Sequence, residues 1–445
     1  MPLQKTLRVP GDKSISHRTL MLGSLSPDKT EFKGLLNSED VASTQACLQA
    51  LGATCEITHR HEHGLDGWIQ GPKNFPTTET ALNVGNSGTT IRLLTGLIAG
   101  KNSPAILSGD ESLNKRPMGR VITPLKLMNA HITGADSDKL PPVRIHQSSS
   151  PLTGIHYEMP IASAQVKSCL LLAGLFAQGD TKITEPLPSR DHTERMFTHL
   201  GIPVQRTGNN IQLTGAENTE FTLPASTWHV PGDFSSAAFW IALALLTPDC
   251  TLTIENVGIN PLRTGLMNAL QRVGANIQLS NPRTACGEPV GDLIVSTSTL
   301  KGNLLITPQE VPTLIDEIPI LAFICLFLDG ALTVTGAEEL QKKESNRILD
   351  VAGELQKLGV TIDTKPDGFV MSGNPNFYPA TPTSALETHH DHRTALSLLV
   401  LDFVLSQRKP AHTTLPINGK HWAAVSYPHF EQQLANLPIT QSGIV

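Results

Sequence analysis

Apolar residues return along this chain at helical spacing, each time after a short polar opening. Ile15, Leu22 and Leu25 follow Gly11-Asp12-Lys13-Ser14. Ile348, Val351, Ala352, Leu355 and Leu358 follow Lys343-Glu344-Ser345-Asn346-Arg347. Leu396, Leu399 and Val400 follow Asp391-His392-Arg393. The spacing predicts helices with one buried face and a polar first turn. Asp12 reads as an N-cap, and Gly11 permits the tight turn before it.

The pattern repeats. Gly11-Asp12-Lys13-Ser14, Pro27-Asp28 and Leu51-Gly52-Ala53 have counterparts in Gly232-Asp233-Phe234-Ser235, Pro248-Asp249 and Val273-Gly274-Ala275. Both stretches read as helix, turn, strand, second helix, then a Gly-Ala into another strand. Partial copies run from Ser163-Ala164-Gln165 to Leu200-Gly201-Ile202 and from Asp316-Glu317 to Leu358-Gly359-Val360. Further copies open at Asn86-Ser87-Gly88-Thr89 and at Asp391-His392-Arg393. Six units of one supersecondary element each are therefore expected, in an α/β chain. The restart at Trp228-His229-Val230-Pro231-Gly232-Asp233 places one domain at 12–230. The other is expected at 1–11 plus 231–445, joined by an N-terminal strand at Thr6–Val9, with a ligand cleft between the two.

Helix openings have a chemical consequence. Their unpaired N–H groups and partial positive charge attract anions. Lys13 and Arg18 oppose the helix dipole, so they are poor choices for stability and good ones for holding phosphate or carboxylate.

Composition narrows the classes. The 445 residues are 39% hydrophobic and 17% charged, with net charge −6, which describes an ordinary globular chain rather than a disordered one or a nucleic-acid binder. A cationic opening in an acidic protein points to a small anionic ligand. The run from Ile318 to Leu328 is too short to span a bilayer, so no membrane partner is expected. With the first motif at residue 10, no signal or transit peptide is expected. Six scattered cysteines without a CxxC pair suggest a reducing cytoplasm and no structural zinc.

Further candidates follow. Gly85-Asn86-Ser87-Gly88-Thr89-Thr90-Ile91-Arg92 is a glycine-bearing anion cradle, and Asn114-Lys115-Arg116-Pro117 adds cations beside a proline. Glu344 and Arg347 stand three apart and are expected on one helical face near its start. Asp316 precedes an apolar helix with Pro319 in its first turn. It is either an ordinary N-cap or, in a dry site, a general base. His389-His390-Asp391-His392 matches no zinc spacing, and His59-Arg60-His61-Glu62-His63 reads as a solvated strand and loop. Neither GxGxxG with a matched acid nor GxxxxGK[ST] is present, which sets aside dinucleotide and P-loop sites.

Taken together, the motifs from Pro10 to Tyr427 resemble the enolpyruvyl transferase family. The resemblance implies two similar domains, each of three βαβαββ repeats in an inside-out barrel, with the active site in the interdomain cleft. It implies transfer of the enolpyruvyl group of phosphoenolpyruvate to the 5-hydroxyl of shikimate 3-phosphate, without metal or organic cofactor. A monomer, in the cytoplasm that the cysteines suggest, is expected. By the same resemblance Lys13, Ser14, Arg18, Ser163, Ala164, Gln165, Arg190, Asp316 and Lys343 hold shikimate 3-phosphate. Lys13, Gly88, Arg116, Gln165, Arg347 and Arg393 hold phosphoenolpyruvate. Asp316 is the implied base, Glu344 the acid and Lys13 a catalytic cation. Ala164 and Arg190 resemble the subgroup called class II. Many relatives have a lysine where this chain has Val425, and Lys420 is the nearest substitute. Gly88, rather than alanine, implies inhibition by glyphosate. Two alternatives remain at this stage: the sibling activity on UDP-N-acetylglucosamine, and a non-catalytic anion-binding protein of the same fold. The sibling usually carries a cysteine in the loop corresponding to Asp110–Arg116, where this chain has none.

Overall fold

A computed structural model describes residues 3–379, 384–409 and 411–437. The chain divides into two compact units, one of residues 10–231 with 284–288, the other of 1–9 with 232–283 and 289–445. Each unit has its own hydrophobic core, and the two sets of buried apolar residues do not overlap.

Within the first unit the same module appears three times. Strand Thr80–Asn83 leads into helix Gly88–Gly100, parallel strand Ala105–Ser108, helix Gly119–Leu127, and the antiparallel strands Ile132–Gly134 and Leu140–Ile145. The module that begins at strand His156–Glu158 has the same order, with helices Ala164–Gly174 and His192–His199. The module containing helices Lys13–Gly23 and Glu39–Ala50 borrows its first strand from late in the sequence. Thr227–His229 pairs in parallel with Thr30–Leu35, Thr227 opposite Glu31. In the second unit, Leu3–Arg8 plays that part and pairs in parallel with Cys250–Gly258, Leu3 opposite Cys250. Five four-stranded sheets share this order. The sixth module is abbreviated to the two-stranded pair Leu386–Glu387 and Ile417–Asn418 around helix His392–Arg408.

The first helix of a module differs from the second. Phe234–Leu246 is buried along its whole length, and Gly88–Gly100 nearly so, because they are apolar on all sides. Gly96 makes that packing possible: a Cβ there would sit 2.1 Å from the carbonyl oxygen of Cys169. Second helices such as Arg347–Lys357 bury one stripe, here Ile348, Val351, Ala352 and Leu355. Because the first two strands of a module are parallel, both helices start at the same, carboxyl-terminal end of the sheet. Each module thus delivers two helix openings to one place.

Three local expectations are corrected. The N-terminal strand is Leu3–Arg8 rather than Thr6–Val9, since its register starts with buried Leu3 against Cys250. Glu344 lies ahead of its helix, which begins at Arg347 because Asn346 supplies the capping oxygen to Leu349 N–H at 3.3 Å. Asp316 is not a cap: the helix is Ile318–Ile324, and the Asp316 carboxylate is turned to Lys343 and Arg347 instead.

Candidate active-site clusters

In the first unit the openings of helices Lys13–Gly23, Gly88–Gly100 and Ala164–Gly174 meet. Asp12 caps the first by accepting from Ile15 N–H at 2.9 Å, Ser87 the second from Thr90 at 3.1 Å, and Ser163 the third from Val166 at 3.4 Å. Lys13 and Ser14 sit half-buried in the first turn, and the Lys13 ammonium lies 3.1 Å from Asp40 at the start of helix Glu39–Ala50.

Arg18 is 4% exposed, and among the described residues its donors reach neutral oxygens. Nε donates to the Thr193 hydroxyl at 2.7 Å, Nη2 to the Ser168 hydroxyl at 2.6 Å and Nη1 to the Ser14 carbonyl at 2.8 Å. Burial pulls its pKa down to about 10; Glu194, Asp12 and Glu288 push the other way from farther off, and nearby Arg190 adds to the depression. Among the described residues no carboxylate touches it, and a buried cation so placed is one that an anionic ligand would stabilise.

Gly88 opens its helix beneath two guanidiniums. A Cβ at that position would lie 2.8 Å from Arg92 Nη1 and 3.3 Å from Arg116 Nη1. Arg92 donates to Gln165 Oε1 at 2.7 Å, Gln165 donates on to the Thr89 hydroxyl at 3.1 Å, and Arg116 donates to Asn86 Oδ1 at 2.5 Å. Beneath them runs a buried chain of hydroxyls. His17 Nδ1 is 2.7 Å from Thr44, Thr44 is 2.7 Å from Thr90, and Thr90 donates to Ser87 at 2.7 Å. Burial pushes the His17 pKa down to about 3, so the imidazole is neutral.

The second unit gathers its own openings. Arg347, 2% exposed, is ringed by three carboxylates: Asp391 at 2.7 Å, Glu344 at 2.7 Å and Asp316 at 3.3 Å. Burial works against its charge, but Asp391, Glu344 and Asp316 hold its pKa well above the ordinary value. Burial likewise opposes the Asp391 anion, and Arg347 and His392 overcome it, so the carboxyl titrates below its usual range. Lys343 reaches Asp316 at 3.2 Å. Arg393 is buried at the start of helix His392–Arg408, donates to the Ser235 carbonyl at 3.5 Å and lies 3.9 Å from buried Glu317. Arg263 joins the same patch through Asp233 at 2.8 Å and Ser235 at 2.9 Å.

The two histidine runs separate into local pairs. His389 pairs with Glu354 at 2.7 Å, His392 with the Ser426 hydroxyl at 2.5 Å, and His61 with Asp66 at 3.2 Å. Lys420 and Val425 bound one short turn, Lys420–Val425. The sequence reading assigned no site role of their own to Arg92, Asp40, Arg263, Ser235 and Asp391, although Arg92, Ser235 and Asp391 lie within motifs it marked. A signal for Arg263 existed: it precedes the second helix of its module, Gly265–Arg272, as Arg116 and Arg190 precede theirs.

The arrangement suits two multiply anionic ligands and proton transfer. One unit offers a buried guanidinium resting on neutral oxygens beside three capped helix openings, the other two carboxylates held beside cations. A sequence model of the family described as EPSP synthase (3-phosphoshikimate 1-carboxyvinyltransferase) matches residues 1–434. A protein of Synechococcus sp. (strain JA-3-3Ab) named 3-phosphoshikimate 1-carboxyvinyltransferase is 42% identical over 443 residues, covering 98% of this chain and 94% of its own. One of the same name from Bacillus cytotoxicus is 40% identical over 439 residues, covering 98% of each. Among solved structures, an EPSP synthase from Acinetobacter baumannii superposes with a TM-score of 0.83 at 37% identity, over 99% of this chain and 96% of that one.

Proposed function

The chain belongs to the EPSP synthase family, the 3-phosphoshikimate 1-carboxyvinyltransferases, and we propose how its residues divide the work of that reaction. The enzyme moves the enolpyruvyl group of phosphoenolpyruvate to the 5-hydroxyl of shikimate 3-phosphate and releases phosphate, on the shikimate route to aromatic amino acids.

Arg18 carries the reading. Its donors rest on hydroxyls and a carbonyl, so an incoming phosphate monoester supplies the missing negative charge. Ser14, Ser163, Ala164, Gln165, Arg190 and Lys343 hold the rest of shikimate 3-phosphate, with Lys13 in reach of both substrates. Gly88, Arg116, Gln165, Arg347 and Arg393 hold phosphoenolpyruvate. Gly88 leaves room for the two guanidiniums above it.

In the first step the 5-hydroxyl oxygen bonds C2 of phosphoenolpyruvate. Its proton passes to Asp316, and C3 takes a proton from Glu344. In the second step C3 returns a proton, the bond from C2 to the phosphate oxygen breaks, and phosphate leaves. Before substrate binds, Glu344 is paired with Arg347 at 2.7 Å, which favours its anion. Phosphoenolpyruvate competes for the Arg347 donors, and that releases Glu344 to carry its proton. Lys13 offsets the charge that develops on the substrates.

The direct test is phosphate release from phosphoenolpyruvate with shikimate 3-phosphate or UDP-N-acetylglucosamine in separate tubes. Release only with shikimate 3-phosphate is expected; release only with the nucleotide sugar would overturn the acceptor assignment. Arg18→Met tests the residue itself. KM for shikimate 3-phosphate rises ~10- to 100-fold, about 1.5–3 kcal/mol for lost charged hydrogen bonds, without loss of thermal stability. An unchanged KM removes Arg18 from the site. A cytoplasmic location fits six cysteines outside any disulfide, and a monomer completes the reading; sedimentation of a dimer would refute the monomer.

A further inference from the structure

We propose that Lys167 is a positioning residue for shikimate 3-phosphate, clamping the segment that carries Arg190; this rests on the role given to Arg190 above. Lys167 lies on helix Ala164–Gly174, just past Ser163, Ala164 and Gln165, and its side chain is wholly buried. Its ammonium is 2.8 Å from Glu194, 3.0 Å from Glu185 and 3.1 Å from the Ser189 carbonyl. The Ser189 hydroxyl donates to Glu185 as well. Arg206 closes the cluster at 3.3 Å from both carboxylates.

The segment between strand Asp180–Thr184 and helix His192–His199 is therefore tied at Glu185, Ser189 and Glu194, all buried. Arg190, half-buried, is the next residue after the tied carbonyl. Such a cluster is a poor investment in stability, because removing the charges of Lys167, Glu185 and Glu194 from water is seldom repaid by their pairing. A fixed geometry for one neighbouring side chain explains its presence better.

The contrast with Arg18 sharpens the argument. One residue further along the first helix and one back along the second, Ser168 and Thr193 hold Arg18. The same two helices thus bury two cations side by side. Lys167 is matched by carboxylates and holds the scaffold, while Arg18 is left with neutral partners. Because Lys167 is already neutralised, it does not compete for the phosphate, which is left to the two arginines.

The test is a cycle of variants read as KM for each substrate. Lys167→Met combined with Glu194→Gln removes one charge of each sign and keeps the cluster even. We expect KM for shikimate 3-phosphate to rise ~10-fold and KM for phosphoenolpyruvate to stay within about twofold. In an Arg190→Ala background the same change should add nothing, because the residue it positions is gone. An equal rise for both substrates, a fully additive effect with Arg190→Ala, or no effect overturns the proposal. If the combined variant does not fold, Ser189→Ala, which removes only the hydroxyl bond to Glu185, is carried through the same cycle and judged by the same outcomes. Should Arg190→Ala alone leave KM for shikimate 3-phosphate unchanged, the reading of Arg190 falls and this proposal with it, a result distinct from additivity.

Discussion

Two buried arginines show how opposite surroundings divide the chemistry. Arg18 rests on neutral oxygens and Arg347 is ringed by carboxylates; in the function proposed above, the first receives a ligand anion and the second organises an acid and a base. Glu344→Gln should leave binding of both substrates largely intact and lower kcat about 10²- to 10⁴-fold, as loss of general acid–base catalysis does. Unchanged turnover in a steady-state assay would end its assignment. Gly88→Ala should raise KM for phosphoenolpyruvate ~10-fold or more, since the new Cβ displaces the guanidiniums of Arg92 and Arg116. Glyphosate should inhibit the natural chain in competition with phosphoenolpyruvate. Full activity at high glyphosate and limiting phosphoenolpyruvate would contradict this.

His17 sets a pH dependence at the same scale. Its pKa is about 3 in the fold because of burial, against an ordinary value near 6.5 in the unfolded chain. A lowered folded-state pKa means the unfolded chain binds the proton first. The stability is complete above pH ~6.5 and falls as the pH drops towards 3, by about 2 kcal/mol at pH 5. His17→Gln should flatten that slope in denaturant titrations at pH 7 and pH 5, whatever its absolute stability. A slope equal to that of the natural chain would show that His17 is not the group responsible.

At the scale of elements, the repeat was readable in the sequence and the ends of its helices less so. The Gly-Asp openings at 11–12 and 232–233 mark true helix starts, because a capping carboxylate and a tight turn act over neighbouring residues. Asp12→Ala should destabilise the first unit by about 0.5–2 kcal/mol through loss of the cap to Ile15. An unchanged denaturation midpoint would refute that. Asp316 and Glu344 were misplaced by one or two residues for a different reason. Their carboxylates bind distant cations rather than local N–H groups, and local propensity has no access to that choice. The cations ahead of the second helices, Arg116, Arg190 and Arg263, form a series across modules. Only the parallel strand order that brings both openings to one end of the sheet makes it significant.

At the scale of the molecule, the first strands are exchanged, and local patterning supplied only half of that: it placed the N-terminal strand with the second domain but not Thr227–His229 in the first module. Leu3–Arg8 completes a sheet with Cys250–Gly258, while Thr227–His229 completes one with Thr30–Leu35. Deleting residues 1–8 should expose amides of Cys250–Gly258 to hydrogen exchange and leave Thr30–Leu35 protected. Equal loss of protection in both strands would refute independent sheets.

The sequence by itself determined the periodic helices, the capped openings and the run of anion-seeking motifs, since each depends on residues a few positions apart. It also carried the family resemblance that the comparisons bear out. Only the tertiary structure decided which charges meet. Arg18 finds hydroxyls 150 and 175 positions away, Arg347 finds Asp391 44 positions away, and Lys167 finds Glu185 and Glu194 on other elements. Burial and partner choice are set by packing across modules, and those are what turn a basic residue into a binding site or a clamp.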